Sequence, residues 1–200
     1  MDELKKKYQK AFDLAQPYLY FDGKDPEPPD EEKLNEAMSI CIELIGIPHI
    51  SWAIYWLKGK IHQTCEQAEE SYKCFKQAFE KAKDEDPVQL HACVIRELAW
   101  SCLIVEKIEE ARYYTKLAIE FEDDPGLLSN HALALIVLQE YDQAKEYLSR
   151  AIDQAKGRGD TWVETTGQCL VTIISKIESG TIAPPTTYAG LIDLAIEKLG

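Results

Sequence analysis

Asn130-His131-Ala132-Leu133-Ala134-Leu135, followed by Leu138-Gln139-Glu140-Tyr141-Asp142-Gln143-Ala144 and Tyr147-Leu148-Ser149-Arg150-Ala151-Ile152, is the stretch that decides how this chain is read. Ala144, Tyr147, Leu148, Ala151 and Ile152 have the i, i+3, i+4, i+7, i+8 spacing that gathers five side chains on one face of an α-helix. The spacing returns at Ala37, Ile40, Cys41, Leu44 and Ile45, at Ser71, Cys74, Phe75, Ala78 and Phe79, and at Ala111, Tyr114, Thr115, Ala118 and Ile119. A last copy stands at Tyr188, Leu191, Ile192, Ala195 and Ile196. Successive copies begin 34, 40, 33 and 44 residues apart, so the chain is repetitive and its units are helical.

Before each copy a small residue sits within another apolar helix: Ala15, Gly59, Ala99, Ala132 and Gly167. In the three middle units the copy starts 12 residues after it, which makes each unit two helices joined by a tight turn. In the first and last units the interval grows to 22 and 21. The extra residues form loops, 21–30 and 178–186, with the pairs Pro28-Pro29 and Pro184-Pro185 that no helix interior accepts. The pattern predicts ten helices near 2–20, 31–46, 49–62, 65–83, 88–105, 108–122, 126–138, 141–156, 161–177 and 186–199. Asp86-Pro87 and Asp124-Pro125 read as caps followed by a first-turn proline, Asp30 and Asp160 as further caps, and Thr64 with Gln67 as a capping box.

The formal charge of −13 opposes a phosphate backbone, so the expected partner is basic or apolar rather than nucleic acid. Ala132 to Leu138, the longest apolar run, falls far short of the ~20 residues that cross a bilayer. Residues 1–8 lack the apolar stretch of a signal peptide. A soluble cytoplasmic protein is expected, without membrane insertion. The six cysteines include no C-x-x-C pair, and Cys41 and Cys74 fall inside the apolar rhythm, where a thiol acts as a small hydrophobe. His49, His62, His91 and His131 are scattered over three predicted helices with no H-E-x-x-H among them. With neither a Gly-rich phosphate loop nor a G-x-S-x-G elbow, the chain is expected to have no enzymatic activity, metal or cofactor.

The quoted unit, and with it the unit from Val88 to Asp124, resembles the tetratricopeptide repeat (TPR): a small residue in the first helix, an aromatic at Tyr141 opening the second, and Ala144 and Ala151. Ser71 and Tyr188 depart from the family, standing where it favours alanine, as do Lys58 and His62, standing where it favours leucine and tyrosine. The resemblance implies an all-α, right-handed superhelical stack of about five hairpins, approximately 1–46, 48–84, 87–123, 125–157 and 159–199, in one domain.

In that family the first helices line a concave groove. Carried over, the register selects residues three and two before, and one and four after, each small residue. These are Trp56, Leu57, Lys60 and Gln63; Arg96, Glu97, Trp100 and Leu103; Ser129, Asn130, Leu133 and Ile136; and Glu164, Thr165, Gln168 and Val171. Trp56, Lys60, Arg96, Glu97, Trp100, Asn130, Leu133, Glu164 and Gln168 are the partner-binding candidates. The tryptophans supply contact area, Arg96 suits a carboxylate and Asn130 a peptide main chain. Lys60, Arg96 and Asn130 are too few for the carboxylate clamp of TPR co-chaperones. The implied function is a non-enzymatic interaction module or scaffold that binds a peptide or helix, with a chaperone or a peptide-sensing regulator as alternatives. The amphipathic last helix, with Leu194, Ile196 and Leu199, suits either capping the stack or joining a second copy as a homodimer.

Overall fold

In the computed structural model, residues 2–19, 26–85 and 91–199 are described, and among them every regular element is helical. The α-helices are α1 (Asp2–Ala15), α2 (Glu31–Ile45), α3 (Trp52–Thr64), α4 (Ala68–Glu85), α5 (His91–Ile104), α6 (Ile108–Phe121), α7 (Pro125–Val137), α8 (Tyr141–Arg158), α9 (Thr161–Glu178) and α10 (Tyr188–Leu199). A 3-10 turn, Gln16–Tyr18, follows α1. It ends the α-helix earlier than the pattern predicts, because Pro17 has no amide to donate and its ring collides with the preceding turn.

Side-chain caps set three of the predicted starts. Asp30 accepts from the Lys33 amide at 3.1 Å, Asp124 from Gly126 and Leu127 at 2.9 and 3.3 Å, and Asp160 from Val163 at 3.1 Å. Pro125 occupies the first turn of α7, where the absent amide costs nothing. The capping box at Thr64 and Gln67 does not form. Thr64 is still inside α3 and its hydroxyl donates to the Tyr18 carbonyl at 3.3 Å, while the Gln67 side-chain oxygen lies 2.6 Å from Nδ1 of His62. Asp86-Pro87, Tyr20 and residues 21–25 of the first loop lie outside the described residues.

Two compact units divide the chain, Met1–Val94 and Ile95–Gly200. In the first, α1 lies along α2, α2 packs on α3 and α3 lies along α4, with α1 also reaching α3. Its core includes Ala15, Leu34, Ala37, Cys41, Leu44, Leu57 and Ile61. In the second unit α6 packs on α7, α7 lies along α8, α8 packs on α9, and α9 also reaches α7. Within each unit a helix thus packs on its successor, and α1 with α3 and α7 with α9 show first helices of neighbouring pairs in contact, which is how helix pairs share a core.

The small residues mark where helices approach most closely. A β-carbon added to Gly59 would stand 2.7 Å from Cε1 of Phe75, and one added to Gly167 would stand 2.7 Å from Cγ1 of Ile152. Both partners belong to the apolar rhythm. Ser71, in place of alanine, donates from Oγ to the Gly59 carbonyl at 3.1 Å, so its hydroxyl is satisfied inside the core. α7 is apolar nearly all round, and Leu127, Leu128, Ser129 and residues 131–137 are all buried. Such a helix needs neighbours on every side.

His131 is a core residue of that helix, 3% exposed. Thr115 Oγ1 donates to the Ala111 carbonyl at 2.7 Å and lies 2.8 Å from His131 Nδ1, so it accepts the imidazole N–H. The ring packs edge-on against Tyr147, with centroids 4.5 Å apart. Burial, reinforced by Lys116 and Arg112, pushes the imidazole down to about 4. The unfolded chain, with a histidine near 6.5, takes up that proton more readily. Stability from this group is complete above pH 6.5 and is lost as pH falls through about 4.

Gly59→Ala should cost about 1–2 kcal/mol, the overpacking against Phe75 outweighing the better helix propensity of alanine. Gly157→Ala, with no atom within 4 Å of the new β-carbon, should leave stability unchanged or raise it; urea unfolding midpoints compare the two. Melting temperatures taken from pH 7.5 to 4.5 should fall toward acid, by up to roughly 3 kcal/mol of stability from His131. His131→Gln should flatten that slope.

Candidate functional site: the face of α7 and α9 beneath α10

α9 ends in a left-handed turn at Gly180 (φ 72°), with Thr181 donating to the Lys176 carbonyl at 2.8 Å. The chain then passes Pro184-Pro185 and enters α10. α4 lies along α3 and α8 along α7, but α10 divides its packing between α9 and α7. Its first residue reaches further: the Tyr188 ring meets Trp100 of α5 edge to face, centroids 6.1 Å apart at 82°. The backbone amides of Tyr188 and Ala189 donate to the two carboxylate oxygens of Glu106, at 2.7 and 2.9 Å. Toward the other end, Cys169 Sγ of α9 lies 3.8 Å from the Ala195 carbonyl.

A helix start leaves four amides without intrahelical partners and carries partial positive charge. Glu106 satisfies two of those amides with a full negative charge, and Thr187 Oγ1 accepts from Gly190 at 3.0 Å. The carboxylate contributes about 0.5–2 kcal/mol to holding α10 in place. Tyr188, Leu191 and Ala195 form the buried stripe of α10, and burial of each of the first two contributes up to ~1.5–3 kcal/mol. Burial, with Glu106 nearby, also pushes the Tyr188 phenol up to about 12, so it stays neutral. Ile196, the fifth letter of the rhythm, is 64% exposed.

Glu106 belongs to a turn that recurs. Glu66, Glu106 and Gln139 each follow the small residue of their unit by seven positions and have φ of 57°, 58° and 63°. The next amide in each case, of Gln67, Lys107 or Glu140, donates to the carbonyl five residues back at 2.8–2.9 Å. This left-handed corner is where glycine is ordinarily favoured. At Glu106 a side chain is used in its place to anchor a helix that starts 82 residues later. The sequence carries a weak signal for this, an acidic residue at the corner, but Glu66 shares it and nothing local separates the two.

The predicted groove residues have varied settings. Trp100 meets α10. Leu133, 7% exposed, is shut from solvent on α7, as are Ser129 and Ile136. Leu57, Leu103 and Ile136 are core residues, a correction to the register, which spans too wide an arc of each first helix to lie wholly on its open side. Lys60 is also buried, 2% exposed, within the first unit, where Trp56 packs partly buried against the core. Lys60 and Leu133 thus differ from the expectation of an open groove. Arg96 already holds a carboxylate of its own chain, Glu122, at 2.9 Å. Gln168 donates to Glu164 at 3.2 Å, and Gln168 is exposed. Asn130 and Glu97 are partly exposed. Among the described residues no group of three or more His, Cys, Asp or Glu is placed to hold a metal, and no helix is long and apolar enough to cross a membrane.

No family model and no curated protein matches the sequence. Solved structures do match. YrrB, a TPR protein with an unusual peptide-binding site, aligns with a TM-score of 0.60 over 83% of this chain and 78% of its own, at 14% identity. The fold is TPR-like. A putative kinesin light chain from Podosopora anserina, built of nearly identical TPR-like repeats, aligns with a TM-score of 0.59 over 98% of this chain and 94% of its own, at 12% identity. Against the TPR-like pattern, the departure at Tyr188 has a physical reason. α10 packs on α7 as well as on α9, and the position takes an aromatic that meets Trp100.

Gln139→Gly should raise stability by about 0.5–1 kcal/mol by relieving a left-handed residue that carries a side chain. Glu106→Gly relieves the same backbone but removes the anchor of α10, so it should come out about 1 kcal/mol or more below Gln139→Gly in guanidinium unfolding.

Proposed function

We propose that this chain is a non-enzymatic protein-interaction module that holds a helical segment of a partner on the face of α7 and α9, bordered by Trp100. The observation that carries this reading is that the face takes a helix: α10 seats Tyr188, Leu191 and Ala195 there. A TPR-like fold supports it, since YrrB, of the same fold, has a peptide-binding site. Between the helix and the extended peptide that the sequence leaves open, the packing of α10 favours the helix. The partner segment is chiefly apolar on its docking side, and the net charge of −13 favours basic residues flanking it. Partly exposed Asn130 is the polar group on α7 suited to orienting such a segment.

A photo-crosslinking residue in place of Asn130 tests this in the native host. It should capture a protein at least tenfold above the same residue in place of Glu146, an exposed position of α8. The crosslinked peptide, identified by mass spectrometry, should fall in an amphipathic helix. Equal capture at both positions, or adducts in extended segments, would overturn the reading.

A further inference from the structure

The proposed function leaves open why the face is already filled. α10 departs from the hairpin arrangement of α3 with α4 and of α7 with α8, and a loop of nine residues, 179–187, separates it from α9. Its hold consists of a stripe with an aromatic, a leucine and a small residue at i, i+3 and i+7, together with two first-turn amides on Glu106. The fit is incomplete. Ile192 is half-buried and Ile196 is exposed.

We infer that α10 is a resident occupant of a helix-docking site, and that the incoming ligand is a partner helix with an aromatic in its first turn, leucine at i+3, a small residue at i+7 and first-turn amides free for Glu106. This rests on the interaction reading above and adds its regulation: the partner binds by displacing α10. The stripe of α10 is the template for the ligand, and Glu106 sets its direction, because a carboxylate stabilises a helix start and repels a helix end. The short loop sets the threshold. A tether of this length holds α10 at an effective concentration on the order of 1 mM. A free helix whose intrinsic affinity equals that of α10, at about 10 μM, then appears about 100-fold weaker until α10 is released.

The test uses the full chain and a fluorescein-labelled synthetic peptide of residues 186–200 as probe, read by anisotropy. Leu191→Asp in the protein ejects α10 while the probe keeps the native stripe. This variant should bind the probe about 100-fold more tightly than the unaltered chain, and adding Glu106→Ala should weaken binding about tenfold. A folded Leu191→Asp protein that binds no better than the unaltered chain overturns the inference. Hydrogen exchange gives a second reading that does not depend on that variant. Glu106→Ala alone should speed exchange across residues 189–197 about tenfold with α7 and α8 unchanged, and unchanged protection of α10 overturns the inference. Sedimentation of the unaltered chain as a dimer that Leu191→Asp dissolves also overturns it, by assigning the site to α10 of a second copy. Partner capture at Asn130 together with no probe binding by the release variant would leave the interaction reading standing and remove α10 as the occupant. Probe binding without capture at Asn130 would do the reverse.

Discussion

At two places in this chain a pair of helices comes together more closely than a β-carbon allows, and much of the architecture depends on that approach. Gly59 faces the ring of Phe75 with no room for a methyl group between them, and Gly167 faces Ile152 in the same way. Close approach brings the Gly59 carbonyl within reach of Ser71, so a polar residue is accommodated where the pattern otherwise uses alanine. It also explains why the small residues and the apolar rhythm keep a constant interval in the middle units. The interval is the length of chain needed to turn and bring the first letter of the rhythm back beside the small residue.

Much of this was legible because it is local. One buried face per helix imposes the 3.6-residue period, and at Asp30, Asp124 and Asp160 the capping oxygen lies within three residues of the amide it binds. What escaped reading is long in range. Thr64 has the composition of a cap, but its partner is the carbonyl of Tyr18, 46 residues away. Glu106 and Tyr188 are 82 residues apart, and the departure from alanine at Tyr188 does not point to that partner. Of the residues the groove register selects, Trp100 meets the chain's own Tyr188, while Leu57, Leu103 and Ile136 are buried, because the arc it covers includes positions turned toward an adjoining helix. Amphipathicity states that α10 buries a face. It does not state against which helix.

α7 shows how the local and the distant are joined. The run from Ala132 to Leu138 is too apolar for a helix with an open side, and α7 has α6 and α8 as neighbours in the repeat, then α9 and α10. Within this packing His131 is confined to its neutral form, with Thr115 taking its N–H and Tyr147 its ring. The same burial that stabilises α7 makes its core proton-sensitive. The docking face proposed on α7 is for that reason supported from behind by packed side chains, which set its geometry in advance of a ligand.

The corners at Glu66, Glu106 and Gln139 are closed by bonds between main-chain atoms, and the side chain at each corner is not needed to close them. Any residue that tolerates the left-handed conformation leaves the corner intact, and these corners are built without glycine. Such joints are nearly invisible to comparisons of letters. A chain can keep its shape through them while retaining only 12–14% of a structural neighbour's residues, and no family model need register the likeness. The corner is thus a position that shape leaves unassigned, and at Glu106 the chain has written something of its own there.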